Sequence, residues 1–130
     1  MKVTTTKLAL VRPPSPRLAE GIVTHIDRSP VDVPLALRQW AAYVGAMHAH
    51  GWTTTEVPAA PDCPDSAFVE DTMVVFRDLA VLARPGADER KREVSAAADA
   101  VRAHGYRTVA IEEPGTLDGG DVLKVGNTIY

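Results

Sequence analysis

A chain of 130 residues with 45% hydrophobic and 24% charged residues has the composition of a folded globular protein, which excludes intrinsic disorder. Its net charge is −3, and its one basic cluster, Arg90-Lys91-Arg92, is flanked by Glu89 and Glu93 and reads as a solvated helix face, so nucleic acid is not an expected partner. The single cysteine, Cys63, can make neither an internal disulfide nor a zinc ribbon, which points to a reducing, cytoplasmic compartment, and no apolar run suits a signal peptide or the roughly 20 residues of a membrane helix.

The first element is KLALV, Lys7 to Val11, a short apolar run closed by Arg12-Pro13-Pro14 and predicted to be a strand. RLAEGIVTHIDRSP follows with one glycine and no sustained period, as a loop does. From Val31 to His50 the pattern is helical: Val33, Leu37, Trp40, Ala41, Val44 and Met47 recur at steps of three and four. Gly51 then stands where a helix-ending residue is expected. WTTTEV predicts a strand, and PAAPDCPDS, rich in proline and aspartate, predicts a loop. AFVEDTMVVF and LAVLA predict two strands of a hairpin turning at Arg77-Asp78. A second helix is predicted from about Ala87 to His104, with Val94, Ala97, Ala98 and Val101 on its apolar side and Gly105 at its end. YRTVAIEE predicts another strand, and DVLKVGNTIY another hairpin, with a tight turn at Gly126-Asn127.

These elements repeat. AHGWTTTEV at Ala49 matches AHGYRTVAI at Ala103, and the two glycines lie 54 residues apart. LALVRPP at Leu8 resembles LAVLARPG at Leu79, and EDTMVVFRDLAV resembles GDVLKVGNTIY with Asp71 and Asp121 in register. The unit is therefore strand, Arg-Pro turn, helix, His-Gly, strand, acidic loop and hairpin. A period of this size predicts an array or propeller of units that bury their faces against neighbours. The chain stops partway through a unit. The expectation is that residues 1–130 are the N-terminal part of a single, longer α/β domain.

Acidic residues gather between strand and hairpin in both units: Asp62, Asp65, Glu70 and Asp71 in the first, Asp118 and Asp121 in the second. Turn chemistry alone would place Asp and Gly at such positions. Acids at equivalent places in successive units also predict an anionic well, for which a guanidinium is the best geometric match, since its planar fork pairs with carboxylates in bidentate fashion. A calcium loop is disfavoured, because DGGD lacks the spacing and the number of oxygen ligands.

The motifs PDSAFVEDTMVVF, LARPGADERKREV and PGTLDGGDVLKVGNTIY, in this order, resemble the dimethylarginine dimethylaminohydrolase family of the guanidine-modifying superfamily, which includes arginine deiminase and the amidinotransferases. The resemblance implies a pentein-type, five-bladed α/β propeller of ββαβ units, of which this chain would hold about the first half. It implies hydrolysis of methylated arginine to citrulline and a methylamine, with no metal or organic cofactor. A cysteine thiolate attacks the guanidinium carbon and a histidine moves protons. By the same resemblance Asp71 binds the substrate guanidinium, and Glu70 and Asp65 are further substrate-contacting acids. Arg84 pairs with the α-carboxylate, the Leu18 carbonyl in a lid loop meets the α-amino group, and Asp118 orients the catalytic histidine. Asp121 fixes its turn by local hydrogen bonds.

The family's nucleophile and histidine fall after Tyr130. His25, His48, His50 and His104 do not lie in the matching motif, and carboxylates around Cys63 would disfavour a thiolate. The chain alone is therefore expected to be inactive. Its expected partners are a small-molecule guanidine, the remaining C-terminal part of the protein and a second copy in a homodimer, with no nucleic acid and no membrane. The rival readings are an arginine deiminase acting on an unmethylated guanidine, and a non-catalytic guanidine-binding or assembly module.

Overall fold

The apolar run at Lys7 is strand β1 (Lys7–Val11) of a computed structural model that describes residues 7–130. Strand β1 pairs in parallel with β2 (Trp52–Glu56), from Lys7 opposite Trp52 to Val11 opposite Glu56. Parallel neighbours need a crossover, which helix α1 (Val33–Ala49) supplies. The Asp32 side chain caps α1 by accepting from the Leu35 amide at 2.8 Å, and Pro34 fits the first turn, where no amide partner is required. These elements belong to a first compact unit that ends at Ala67. Its buried residues include Val11, Arg12, Ser15, Val57, Cys63, Asp65 and Ser66, whereas α1 buries none of its residues.

The second unit, Phe68–Tyr130, holds a three-stranded sheet of β3 (Met73–Phe76), β4 (Leu79–Leu82) and β5 (Arg107–Ala110), in that order. Strand β4 is antiparallel to β3 and parallel to β5. It therefore closes the hairpin and also opens the next parallel pair. Helix α2 (Val94–Ala103) makes that crossover and buries Val94, Ala97, Ala98 and Val101, the face read from the sequence. They form the core with Met73, Ala80, Leu82 and Ala83. Ala80 and Ala97 are fully buried, and residues this small allow close approach of a helix to a sheet. A last hairpin, β6 (Lys124–Val125) and β7 (Thr128–Ile129), turns at Gly126 and leaves Leu123, Val125 and Ile129 exposed.

The repeat is visible in both units. Each has a parallel strand pair joined through a helix, and each helix ends on a left-handed glycine: φ is +78° at Gly51 and +85° at Gly105. Each arginine that precedes a proline reaches a carbonyl in the loop after the second strand. Arg12 Nε donates to the Pro58 carbonyl at 3.0 Å, and a terminal nitrogen of Arg84 donates to the Gly115 carbonyl at 3.0 Å. Nothing lies near the position of a Cβ at Gly105, so Gly105→Ala should cost about 1–2 kcal/mol through backbone strain alone. Gly105→Asn should cost less, because asparagine tolerates this region. Urea midpoints of the two variants compare the costs.

Two sequence expectations need correction. AFVEDTMVVF is not a strand throughout: Val69–Thr72 forms a 3-10 turn and extended structure starts at Met73. Here Thr72 Oγ1 donates to the Val69 carbonyl at 2.6 Å, a local bond that competes with the sheet ladder. The second helix also starts late, since Asp88–Glu93 is a 3-10 turn and α2 begins at Val94. Side chains three apart eclipse in a 3-10 turn. That geometry suits the Asp88–Lys91 and Arg90–Glu93 ion pairs found there.

Candidate functional site

In the second unit two acidic turns lie against each other. The turn Val69–Thr72 carries Glu70 and Asp71, and the 3-10 turn Gly119–Asp121, preceded by Asp118, carries the Gly-Gly pair. Gly120 donates its amide to Asp71 Oδ1 at 3.0 Å. The approach explains both glycines. A Cβ on Gly119 would press on the Met73 carbonyl oxygen at 2.6 Å and closer still on that of Glu70, while one on Gly120 would collide with Asp71 Oδ1. The pair is thus required by contact between two turns and not by its own backbone angles.

Asp71 Oδ2 accepts from Arg90 at 2.7 Å. Arg90 also donates to Glu93, with the closest contact at 2.8 Å. Its side chain is 12% exposed, and Glu93's is 2% exposed. Burial works against the Arg90 cation, yet the hydrogen bonds it donates to Glu93 and Asp71 hold its pKa above the ordinary arginine value. The reading of Arg90-Lys91-Arg92 as a solvated face therefore fails at Arg90, which turns inward, while Arg92 remains exposed. The signal that could have found the pair is the i, i+3 spacing of Arg90 and Glu93 just ahead of a buried helix face.

The remaining residues named from the sequence are placed as follows. Glu70 is exposed beside Asp71. Asp118 is half-buried, and its Oδ2 lies 3.5 Å from the Gly86 amide. The Leu117 amide donates to the Arg84 carbonyl at 2.8 Å, which sets the Arg-Pro turn beside the DGGD turn. The Arg84 guanidinium pairs with Glu113 at 2.6 Å as well as with the Gly115 carbonyl. The acids of this unit are thus interleaved with arginines, and the cluster is mixed in charge.

Leu18 and Asp65 belong to the first unit. Leu18–Glu20 is a 3-10 turn, and the Leu18 carbonyl accepts from the Gly21 amide at 3.1 Å. Arg28 donates to the Ala19 carbonyl at 2.5 Å and the Gly21 carbonyl at 2.8 Å. Asp65 accepts from the Ile22 amide at 3.0 Å. The Arg17 hydrogen bond holds the Glu20 carboxyl below its usual range. Asp65→Ala should free the loop, and exchange of the Ile22 amide should quicken about 10- to 100-fold, as expected for losing a hydrogen bond to a charged group. Hydrogen-exchange mass spectrometry of residues 17–23 reads this directly.

Cys63 is buried in its loop as a free thiol. His48 Nε2 meets Thr54 Oγ1 at 2.7 Å and His50 Nδ1 meets the Ala46 carbonyl at 2.8 Å, so both have local structural partners. Among the described residues no group of three or more His, Cys, Asp and Glu side chains is arranged to hold a metal, and no helix is long and apolar enough to cross a membrane.

This α/β architecture is of the pentein type, like the solved structures it resembles. The N-terminal domain of the cyanobacterial arginine dihydrolase ArgZ has it at a TM-score of 0.80 and 18% identity, a likeness of fold alone. Over the length it has, the chain is homologous to the dimethylarginine dimethylaminohydrolases. It is 60% identical over 124 residues to the N(G),N(G)-dimethylarginine dimethylaminohydrolase of Streptomyces coelicolor, covering 95% of this chain and 48% of that protein. It is 33% identical over 126 residues to that of Pseudomonas aeruginosa, covering 95% of this chain and 49% of that one. A crystal structure of a cysteine-to-serine variant of the Pseudomonas aeruginosa protein, complexed with citrulline, matches with a TM-score of 0.89 at 32% identity and covers 96% of this chain and 49% of that one. No family model matches the sequence. The chain spans about half the length of the curated relatives it matches.

Proposed function

We propose that this chain is the N-terminal part of an enzyme that hydrolyses N-omega-methylated arginine to citrulline and methylamine or dimethylamine. The observation that carries the reading is the high identity to the Streptomyces coelicolor protein along nearly the whole chain. The two touching acidic turns agree with it, since they hold a carboxylate fixed by hydrogen bonds to both oxygens, as a guanidinium site requires.

In this reading Asp71 grips the substrate guanidinium, with Glu70 and Asp65 as further acids. Arg84 takes the α-carboxylate in exchange for Glu113, and the Leu18 carbonyl meets the α-amino group. Asp118 orients a histidine contributed by the C-terminal part, which also contributes the cysteine. The thiolate adds to the guanidinium carbon, and the leaving amine departs with a proton from the histidine. Water then attacks the resulting thiouronium and releases citrulline and the thiolate. The role of this chain is to position: a guanidinium is a poor electrophile and reacts only when held. No metal or organic cofactor enters. The C-terminal part and a second copy are the protein partners. The free thiol of Cys63 fits a cytoplasmic location.

The test is citrulline and dimethylamine release by the full-length protein from dimethylarginine and from arginine. Release from dimethylarginine is the expected result. Citrulline from arginine alone would replace this reading with a deiminase, and binding of both without turnover would replace it with a non-catalytic module.

A further inference from the structure

In the first unit one peptide group lies between opposite charges. The Arg28 guanidinium donates to the Gly21 carbonyl at 2.8 Å, and the N–H of the same peptide group, that of Ile22, donates to Asp65 Oδ2 at 3.0 Å. A planar trans peptide points its oxygen and its N–H to opposite sides, so a rotation of the group breaks both bonds together. Arg28 also donates to the Ala19 carbonyl at 2.5 Å, and its planar fork therefore spans two carbonyls of one turn. Gly21 is buried, and a Cβ on it would collide with Asp65 Oδ1. Contact with Asp65 thus requires glycine at this position, and glycine restrains the rotation of its own peptide least. The ion pair of the turn, Arg17 with Glu20, joins two side chains and not this peptide.

We propose that Arg28 is a positioning residue for Asp65: it locks the Gly21–Ile22 peptide with its N–H toward the carboxylate, and so holds Asp65 in the orientation that meets a substrate. This rests on the guanidine-hydrolase reading above, in which Asp65 contacts the substrate. Rotated by half a turn, the peptide would set its carbonyl oxygen against the Asp65 carboxylate, two acceptors with no proton between them. A cation on the carbonyl opposes that rotation. It also polarises the peptide, which makes the Ile22 N–H a stronger donor to the carboxylate. A carboxylate oxygen can accept more than one bond, so the Ile22 amide orients Asp65 without exhausting it. The arginine thus supplies the restraint that glycine, needed for the close approach, cannot.

The experiment is steady-state kinetics of Arg28→Ala and Arg17→Ala in the full-length protein with dimethylarginine, together with amide exchange of residues 17–23. Arg28→Ala removes the lock on the peptide. Arg17→Ala removes an ion pair of the same turn and leaves both bonds of the peptide in place. The expected result for Arg28→Ala is KM raised about tenfold with kcat within about threefold, and faster exchange of the Ile22 amide. Arg17→Ala should leave KM within about twofold of wild type, as an exposed ion pair contributes little. Unchanged KM in Arg28→Ala, or a fall in kcat at constant KM, overturns the proposal. So does an equal rise of KM in both variants, because general loosening of the turn would then explain it. A raised KM with unchanged Ile22 exchange overturns it as well, since the effect would not run through this peptide. If Arg28→Ala is unfolded at the assay temperature, Arg28→Gln carries the test by the same outcomes. Wild-type turnover with an unmoved KM in the variant removes only the role of Arg28. Absence of wild-type turnover of both dimethylarginine and arginine removes the hydrolase reading and this proposal with it.

Discussion

Asp71→Ala in the full-length protein should abolish citrulline release from dimethylarginine, with kcat/KM lower by roughly a hundredfold to several thousandfold. That range follows from the roughly 3–5 kcal/mol lost when one partner of a buried charge pair is removed, at about tenfold per 1.36 kcal/mol. Asp71 occupies a demanding position. One oxygen receives the Gly120 amide and the other receives Arg90, so the carboxylate is held in one orientation. Truncation leaves the Arg90 cation with Glu93 and leaves the Gly120 amide without its carboxylate, so part of the loss could come through the fold. Asp71→Asn separates the effects. The amide oxygen can still accept from Gly120, while the amide nitrogen, a donor, faces Arg90, so the charge and the Arg90 bond are lost and the Gly120 bond is kept. Activity lost in both variants at similar thermal midpoints assigns the effect to guanidinium binding. Near-normal activity in Asp71→Ala would sink the functional assignment.

The second large effect concerns stability. Gly119→Ala should lower the folding free energy by about 3 kcal/mol or more, and the thermal midpoint by roughly 8 °C or more for a chain of this size. The Cβ would meet backbone oxygens of Glu70 and Met73, which belong to a turn and a strand start and cannot rotate aside. Gly120→Ala should be milder for folding, because its clash is with the end of the Asp71 side chain. For catalysis the order should reverse per unit of stability lost, since displacing the Asp71 carboxylate disturbs the proposed guanidinium site directly. Thermal midpoints and kcat/KM measured on both variants distinguish the two kinds of damage.

Much of the secondary structure was legible in sequence. The apolar steps at Val94, Ala97, Ala98 and Val101 mark the buried face of α2, since a helix sorts residues by a local period. Gly51 and Gly105 mark helix ends, because a left-handed backbone selects glycine whatever surrounds it. The Gly126-Asn127 turn was readable for the same local reason. The repeat joined these signals into strand–helix–strand units. The α1 pattern was legible as a helix, but its burial was not, because burial depends on what covers the face.

What sequence alone determined is the set of local elements, their repeat, and the acids and glycines that occupy the turns. Tertiary structure decided which of those acids are engaged and by what. Arg90 and Asp71 lie 19 residues apart, and Gly120 meets Asp71 across 49. No local period encodes such pairings, which arise only when the crossover helix returns β5 beside β4 and brings the DGGD turn onto the FVED turn. The same closure turned one arginine of a basic cluster that looked solvated into a part-buried guanidinium held by Glu93 and Asp71, because a charge inside a fold persists only where opposite charge is built around it.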